Sequence, residues 1–249
     1  MRRKTLFETI AILIVLVVAT VLIARTGLDL RIAKLFYVPG EGFPIGDLQP
    51  WRSLHVYGAM PAFFLAGAGL LALFGSLFKP ILVPYRSASL FLLLFLILGP
   101  WLLVNEAFKE HWGRPRPRQL IEFAGNQQFS QPWEMKKDLP KNNSFPCGEA
   151  SVGFYLFAPY FVLRRKRSGL ACSWLVLGIA YGSITGVARI AQGAHFVSDV
   201  MWSGGIVYLT GLISGDLFLG RPTDTLRTSR AARYDETITR KRNRKGWIP

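Results

Sequence analysis

The sequence predicts an all-α polytopic membrane protein, a bundle of six transmembrane helices. Three observations carry that expectation. Hydrophobic residues make up 51% of the 249, and the mean hydropathy is positive. Charged residues make up only 18%, against about a quarter in an ordinary soluble domain. The apolar residues gather into six runs, near 7–25, 55–77, 87–107, 148–163, 169–187 and 199–219. Most of these reach the ~20 residues that a helix needs to cross the hydrocarbon core.

The first run follows a basic start, "MRRKTLFETIAILIVLVVATVLIARTG". No small-residue cleavage site follows cleanly and more spans come after it, so it reads as a retained helix rather than a signal peptide. Residues 28–36 read as a short amphipathic helix in the interface plane, with Leu28, Ile32, Leu35 and Phe36 sharing its apolar face. "GEGFPIGDLQP" is turn-rich. The second and third runs are long and cleanly apolar. The fourth is the shortest and contains Pro159. Residues 1–220 form one membrane-embedded domain, and 221–249 a basic cytoplasmic tail suited to an anionic lipid surface.

The formal charge of +15 does not point to nucleic acid, because the basic residues sit in short clusters between apolar runs. Arg2, Arg3 and Lys4, then Lys79 and Arg86, then Arg164 to Arg167, then nine basic residues of the tail all fall on one side of a six-span chain. By the positive-inside rule that side is cytoplasmic. The opposite side still carries Lys109, Arg114, Arg116, Arg118, Lys136, Lys137 and Lys141 in the 108–147 loop. Topology does not ask for these; an anionic ligand does. Two cysteines, Cys147 and Cys172, lie at different expected depths and predict neither a disulfide nor a metal cluster.

Three polar segments fall at span ends on that second side: "KEHWGRPRPRQ" at 109–119, "FPCGEAS" at 145–151 and "ARIAQGAHFVSD" at 188–199. Buried charges need partners. A lysine, arginines and a histidine at the mouth of a bundle suit a phosphate: arginine grips two oxygens with a planar fork, and lysine adds a point charge. Gly148 stands before a span, where free backbone N–H groups favour an anion. His195 and Asp199 are four apart, on one face if the last helix begins near His195, so Asp199 orients the ring for nucleophilic attack. The bland alternative is a His–Asp pair capping a helix. Arg116, Lys109 and Arg189 read as phosphate ligands, against interfacial snorkelling or a helix-end charge. Arg114 and Arg118 read as head-group contacts. His111 and Glu149 could extend a metal site around His195, but the proposed chemistry requires neither metal nor other cofactor.

Together the three segments resemble the type 2 phosphatidic acid phosphatase family. Its pattern is Lys, six residues, Arg-Pro; then Pro-Ser-Gly-His; then Ser-Arg, five residues, His, three residues, Asp. Lys109 and Arg116-Pro117 match the first part, Pro146 to Glu149 stand at the second, and Ala188-Arg189, His195 and Asp199 match the third. The resemblance implies a nucleophile at His195 oriented by Asp199. It implies a phosphate cradle from Lys109, Arg116, Arg189, Gly148 and Cys147, and a leaving-group acid at position 149. Cys147 and Ala188 replace serines, and Glu149 replaces the histidine acid. Glu149 is expected either to take over as acid or to orient a water.

The expected function is therefore a lipid phosphate phosphatase of the bacterial inner membrane. It would work at the periplasmic face through a phosphohistidine, with a phosphorylated membrane lipid as partner. The loop arginines suggest a large, multiply charged head group, and lipid A dephosphorylated at its 1-position is the first expectation. Undecaprenyl diphosphate, phosphatidylglycerophosphate and phosphatidate are the alternatives. Transfer of the phosphate to a second lipid, and a non-catalytic lipid-binding or transport role, are the competing classes.

Overall fold

The computed structural model describes residues 3–136 and 143–219. Arg2, Lys137, Lys141 and the basic tail from 221 onward lie outside the described residues. The described chain is all-helical: α1 (Arg3–Thr26), α2 (Leu28–Lys34), α3 (Trp51–Tyr57), α4 (Met60–Gly75), α5 (Arg86–Leu96), α6 (Gly148–Phe154), α7 (Ala158–Leu163), α8 (Ser168–Ala191) and α9 (Val197–Phe218). Among the described residues, four helical segments are long and apolar enough to cross a bilayer: Arg3–Thr26, Trp51–Gly75, Pro80–Lys109 and Ser168–Ala191. They present Phe7, Phe64, Leu71 and Val176 outward, each more than 60% exposed, an arrangement stable only with lipid around it. The chain is a membrane-associated all-α protein.

The other two expected runs differ from simple spans. The fourth is broken: α6 and α7 are separated by one tight turn, Tyr155–Phe157, and Pro159 lies in the first turn of α7, where its missing N–H is tolerated. The sixth, α9, is the centre of the bundle, with twelve of its 22 residues buried, many of them Gly, Ser and Thr. Small residues let neighbours approach closely. A Cβ on Gly211 would collide with Phe161, and one on Gly205 would reach to 2.5 Å of Leu16. α1 lies against α9, and Trp202 Nε1 donates to Thr20 Oγ1 at 3.0 Å.

α5 continues into a wider π-helical segment, Ile97–Lys109, around Pro100. Proline supplies no N–H to the regular ladder. Asn105 Nδ2 instead donates to the Pro100 carbonyl at 2.7 Å. π segments gather at functional sites, and here the segment ends on Lys109.

α2 exists where an amphipathic helix is expected, but its inward face is different. Ile32 and Phe36 pack on the core, whereas Leu35 is 70% exposed and Asp29 is buried with Ala33. The reason is electrostatic: Asp29 is drawn inward by Arg114 and by the start of α9.

Candidate active site

α8 ends in a left-handed turn at Gly193, φ 61°, a conformation glycine adopts without penalty. The Gly193 and Ala194 amides donate back to the Ile190 and Arg189 carbonyls at 2.9 and 3.0 Å. This turn puts Arg189, in the last turn of α8, beside His195, which precedes α9. Arg118 N donates to the Gly193 carbonyl at 3.0 Å and pins the 114–119 loop on top.

His195 is fully buried and does not belong to α9. Its Nδ1 lies 2.6 Å from the Ser144 carbonyl, which requires a proton on Nδ1. Nε2 has no hydrogen-bond partner. The expected helical His–Asp pair is therefore replaced by a turn arrangement. Asp199 sits in the first turn of α9, and its Oδ2 is 3.8 Å from Nδ1. That oxygen accepts from Phe196 N at 2.7 Å and, at very close range, from Ser144 Oγ. Asp199 thus fixes both the start of α9 and the residue whose carbonyl holds the ring. Burial opposes a charged imidazole here, but Cys147, Asp199 and Glu149 around it outweigh burial and push its pKa up to about 10.

Arg114 is corrected by the structure. Expected at a head group, it is fully buried and bonded only to protein groups. Its guanidinium donates to Asp199 Oδ1 at 2.5 Å, Ser198 Oγ at 2.8 Å, Asp29 Oδ2 at 2.9 Å and the Ser130 carbonyl at 3.0 Å. It also lies over the Phe196 ring, 4.4 Å from its centroid. One cation between two carboxylates satisfies a buried cluster that would otherwise be costly. Arg118, by contrast, is exposed and lines an outer cavity.

The remaining expected residues converge. Lys109, Gly148, Glu149 and Arg189 line one cavity of about 250 Å³, joined by Asn105 and His55. Cys147 caps α6, its Sγ accepting from Ala150 N at 3.5 Å, and is buried. Gly148 is required by close approach, since a Cβ there would collide with Asn105 Oδ1 and reach within 3.2 Å of Lys109 Nζ. Arg116 is partly buried, within electrostatic reach of Arg189, Glu149 and Cys147. Glu149 Oε1 pairs with Arg189 Nη2 at 3.1 Å, and Glu149 Oε2 is 3.5 Å from His195 Nε2. A carboxylate thus stands among cations, in front of an imidazole nitrogen that makes no close hydrogen bond.

Cys147 Sγ, a Glu149 oxygen and a His195 nitrogen lie within 4.8 Å of one another, a donor set that zinc accepts. Lys109, Arg116 and Arg189 beside them favour an anion at the same place. Both cysteines are free.

Sequence reasoning missed four residues. Asp29 and Ser144 hold Arg114, Asp199 and the ring. Asn105 meets Gly148. His55 faces the site: Arg189 Nη1 donates to its Nδ1 at 2.9 Å. An ionisable residue where an apolar run begins, as in "RSLHVYG", was the available signal for His55.

A second cavity, of about 590 Å³, adjoins the first and is lined by Glu41, Asp47, Arg118, Phe123 and Gln192 among others. The two share His55 and Arg189.

The model of the PAP2 superfamily matches residues 88–218, the stretch that contains Lys109, Arg116, Glu149, Arg189, His195 and Asp199. A lipid A 4′-phosphatase of Francisella tularensis subsp. novicida is 36% identical over 185 residues, covering 74% of this chain and 82% of the relative. Lipid A 4′-phosphatases of Rhizobium leguminosarum and Rhizobium etli are each 36% identical over 122 residues. These cover 48% of this chain and 51% and 46% of the relatives. No solved structure matches the chain. A family match over half the chain, with a relative 36% identical over 74% of it, establishes that this chain belongs to the PAP2 superfamily and is a membrane hydrolase of lipid phosphates.

Proposed function

We propose that the protein removes a phosphate monoester from lipid A at the periplasmic face of a bacterial inner membrane, through a phosphohistidine. The observation that carries this reading is the buried Nε2 of His195, which has no close hydrogen bond and faces, at 3.5 Å, a Glu149 carboxylate that Arg189 holds. In the resting protein the Glu149 carboxylate takes that position. An incoming phosphate would displace it and be gripped by Lys109, Arg116 and Arg189, with Cys147 and Gly148 closing the cradle. His195 Nε2 attacks phosphorus, and Ser144 and Asp199 keep its other nitrogen protonated. Glu149, displaced from Arg189 by the phosphate, serves the second step: it orients the water that releases phosphate from His195 and takes the proton of that water.

Six crossings would put this site opposite Lys79, Arg86 and Arg164 to Arg167, and hence on the periplasmic side. In that reading α6–α7 and α9 are the fourth and sixth crossings, sheathed by the four more apolar ones. The larger polar cavity, with Glu41, Asp47, Arg118 and Gln192, supports a sugar head group, where hydroxyls need both donors and acceptors. The names of the relatives favour the 4′-phosphate of lipid A over the 1-phosphate expected from sequence.

The test is purified protein in detergent offered lipid A carrying 1- and 4′-phosphates, undecaprenyl diphosphate, phosphatidylglycerophosphate and phosphatidate. Release of inorganic phosphate from the 4′-position, abolished in His195→Ala, is expected. Release from another lipid alone would replace the substrate. Phosphate gained by a second lipid would make the protein a phosphotransferase, and no turnover of any lipid would leave binding or transport.

A further inference from the structure

Resting on the reading above, in which Arg189 grips the phosphate, we propose that Gln192 is the positioning residue that aims the Arg189 fork. A guanidinium is planar and only donates, and its Nε and Nη2 share one edge. In Arg189 that edge is the one left for an anion. Nη2 pairs with the Glu149 carboxylate at 3.1 Å, the group that an incoming phosphate would displace. Nε is buried and has no hydrogen-bond partner among the described residues. Nη1 is engaged elsewhere, by two neutral acceptors. It donates to Gln192 Oε1 at very close range and to His55 Nδ1 at 2.9 Å. Neither contact uses the edge that phosphate would take.

The Gln192 amide is itself held in place. Arg189 lies in the last turn of α8 and Gln192 closes that helix three residues on, so the two side chains meet locally. Gln192 Nε2 donates to the Gly46 carbonyl at 3.2 Å. A carbonyl only accepts and a guanidinium only donates, so the amide has one orientation that serves both, with its oxygen on Arg189. The short turn Pro44–Asp47 is pressed against it: a Cβ on Gly46 would come to 2.5 Å from Gln192 Cγ. One on Gly193 would come equally close to the Phe43 ring. The turn seats the amide, and the amide seats the guanidinium.

Charge explains why an amide suits this place. A carboxylate at 192 would hold Nη1 as well, but its negative charge would compete with phosphate for the same cation. Glutamine supplies the acceptor without the charge. Once Glu149 is displaced, the positive charge of Arg189 is left for the phosphate, on an edge whose direction is already fixed. Arg189 then needs no reorganisation to make a charge-assisted, two-pronged contact.

The test uses inorganic phosphate, which has no head group, so any contact of Gln192 with a sugar does not enter. Its affinity is read from inhibition of lipid turnover and from protection against thermal unfolding in detergent. Gln192→Met keeps the side-chain length and removes the acceptor. Phosphate should bind about tenfold more weakly and kcat/KM for the lipid should fall about 10²-fold, the scale of a group misplaced by roughly 1 Å, while the ligand-free protein melts as before. Wild-type affinity for phosphate, or losses matched by a fall in melting temperature, would overturn the assignment. Gln192→Glu serves if the first variant does not fold. It should weaken phosphate at least as much, because an anion then faces the same guanidinium; unchanged affinity would refute the need for a neutral acceptor. The Arg189→Lys background identifies the route. Lysine has no fork to aim, so adding Gln192→Met there should alter phosphate affinity by less than about twofold. A further tenfold loss would mean that Gln192 acts on something other than Arg189. Wild-type phosphate affinity and turnover in Arg189→Lys alone would sink the phosphate role of Arg189 itself, a result separate from any at Gln192.

Discussion

Glu149 Oε2 lies 3.5 Å from His195 Nε2, so a carboxylate of the protein itself faces the nitrogen proposed to attack phosphorus. The ring responds to that neighbour. Burial alone would lower its pKa; Cys147, Asp199 and Glu149 raise it to about 10. A nucleophilic ring must be neutral, so kcat/KM of the free enzyme should climb about tenfold per pH unit towards that value. Glu149→Gln removes one raising charge and should move the climbing limb to lower pH, while slowing the water step. An unmoved limb in the pH profile would show that Glu149 does not act on His195. The same ring favours the folded state below its ordinary value of 6.5, a contribution lost as pH rises through about 10.

Arg114 joins Asp29 and Asp199 where water does not reach. Arg114→Met leaves both carboxylates without their cation. Breaking a buried pair from one side costs about 3–5 kcal/mol. Thermal unfolding in detergent should show that loss, and phosphate release should fall with it, because Asp199 loses the guanidinium that holds it. A variant as stable as wild type would mean that water or another donor replaces Arg114.

Gly148→Ala should behave in the opposite way. The added methyl meets Asn105 Oδ1 and the ammonium of Lys109, side-chain ends that can shift. Stability should change little, while displacement of Lys109 lowers turnover about 10²-fold, the scale expected for misplacement by roughly 1 Å. Melting and turnover measured on the same preparation separate the two effects.

The trio Cys147, Glu149 and His195 has the donors of a zinc site, but its setting is cationic. Activity should survive treatment with a chelator. Loss of turnover, restored by one divalent ion, would reassign the trio as a metal centre.

The parts of the site legible in sequence were those held by local spacing. Lys109 and Arg116 flank one helix end, and Arg189, His195 and Asp199 share one turn, so their convergence required only that the span ends meet. Burial was not legible. Arg114 and Arg118 look alike in "RPRPR", yet the first is fully enclosed and the second exposed, because Asp29 and Asp199 reach Arg114 from 85 positions away on either side. The partner of His55 was hidden for the same reason, since it meets Arg189 across 134 positions. The fold followed a similar division. Apolar runs announced α1, α4 and α8, whereas α9, rich in Gly and Ser, had no sequence mark of being the central helix. The face of α2 was misjudged because a buried aspartate outweighed an exposed leucine.

α1 and α9 are packed together although they lie at opposite ends of the described chain. Glu8 bonds Arg164 and Tyr208 across 156 and 200 positions. During synthesis the first helix enters the bilayer long before these partners emerge from the ribosome. Without α9, Glu8 lacks Tyr208, Leu16 lacks the surface at Gly205, and the turn that carries His195 has no scaffold. A chain interrupted before its last helix lacks Asp199 and the surface against which α1 packs, so phosphate release is expected to be lost rather than merely slowed.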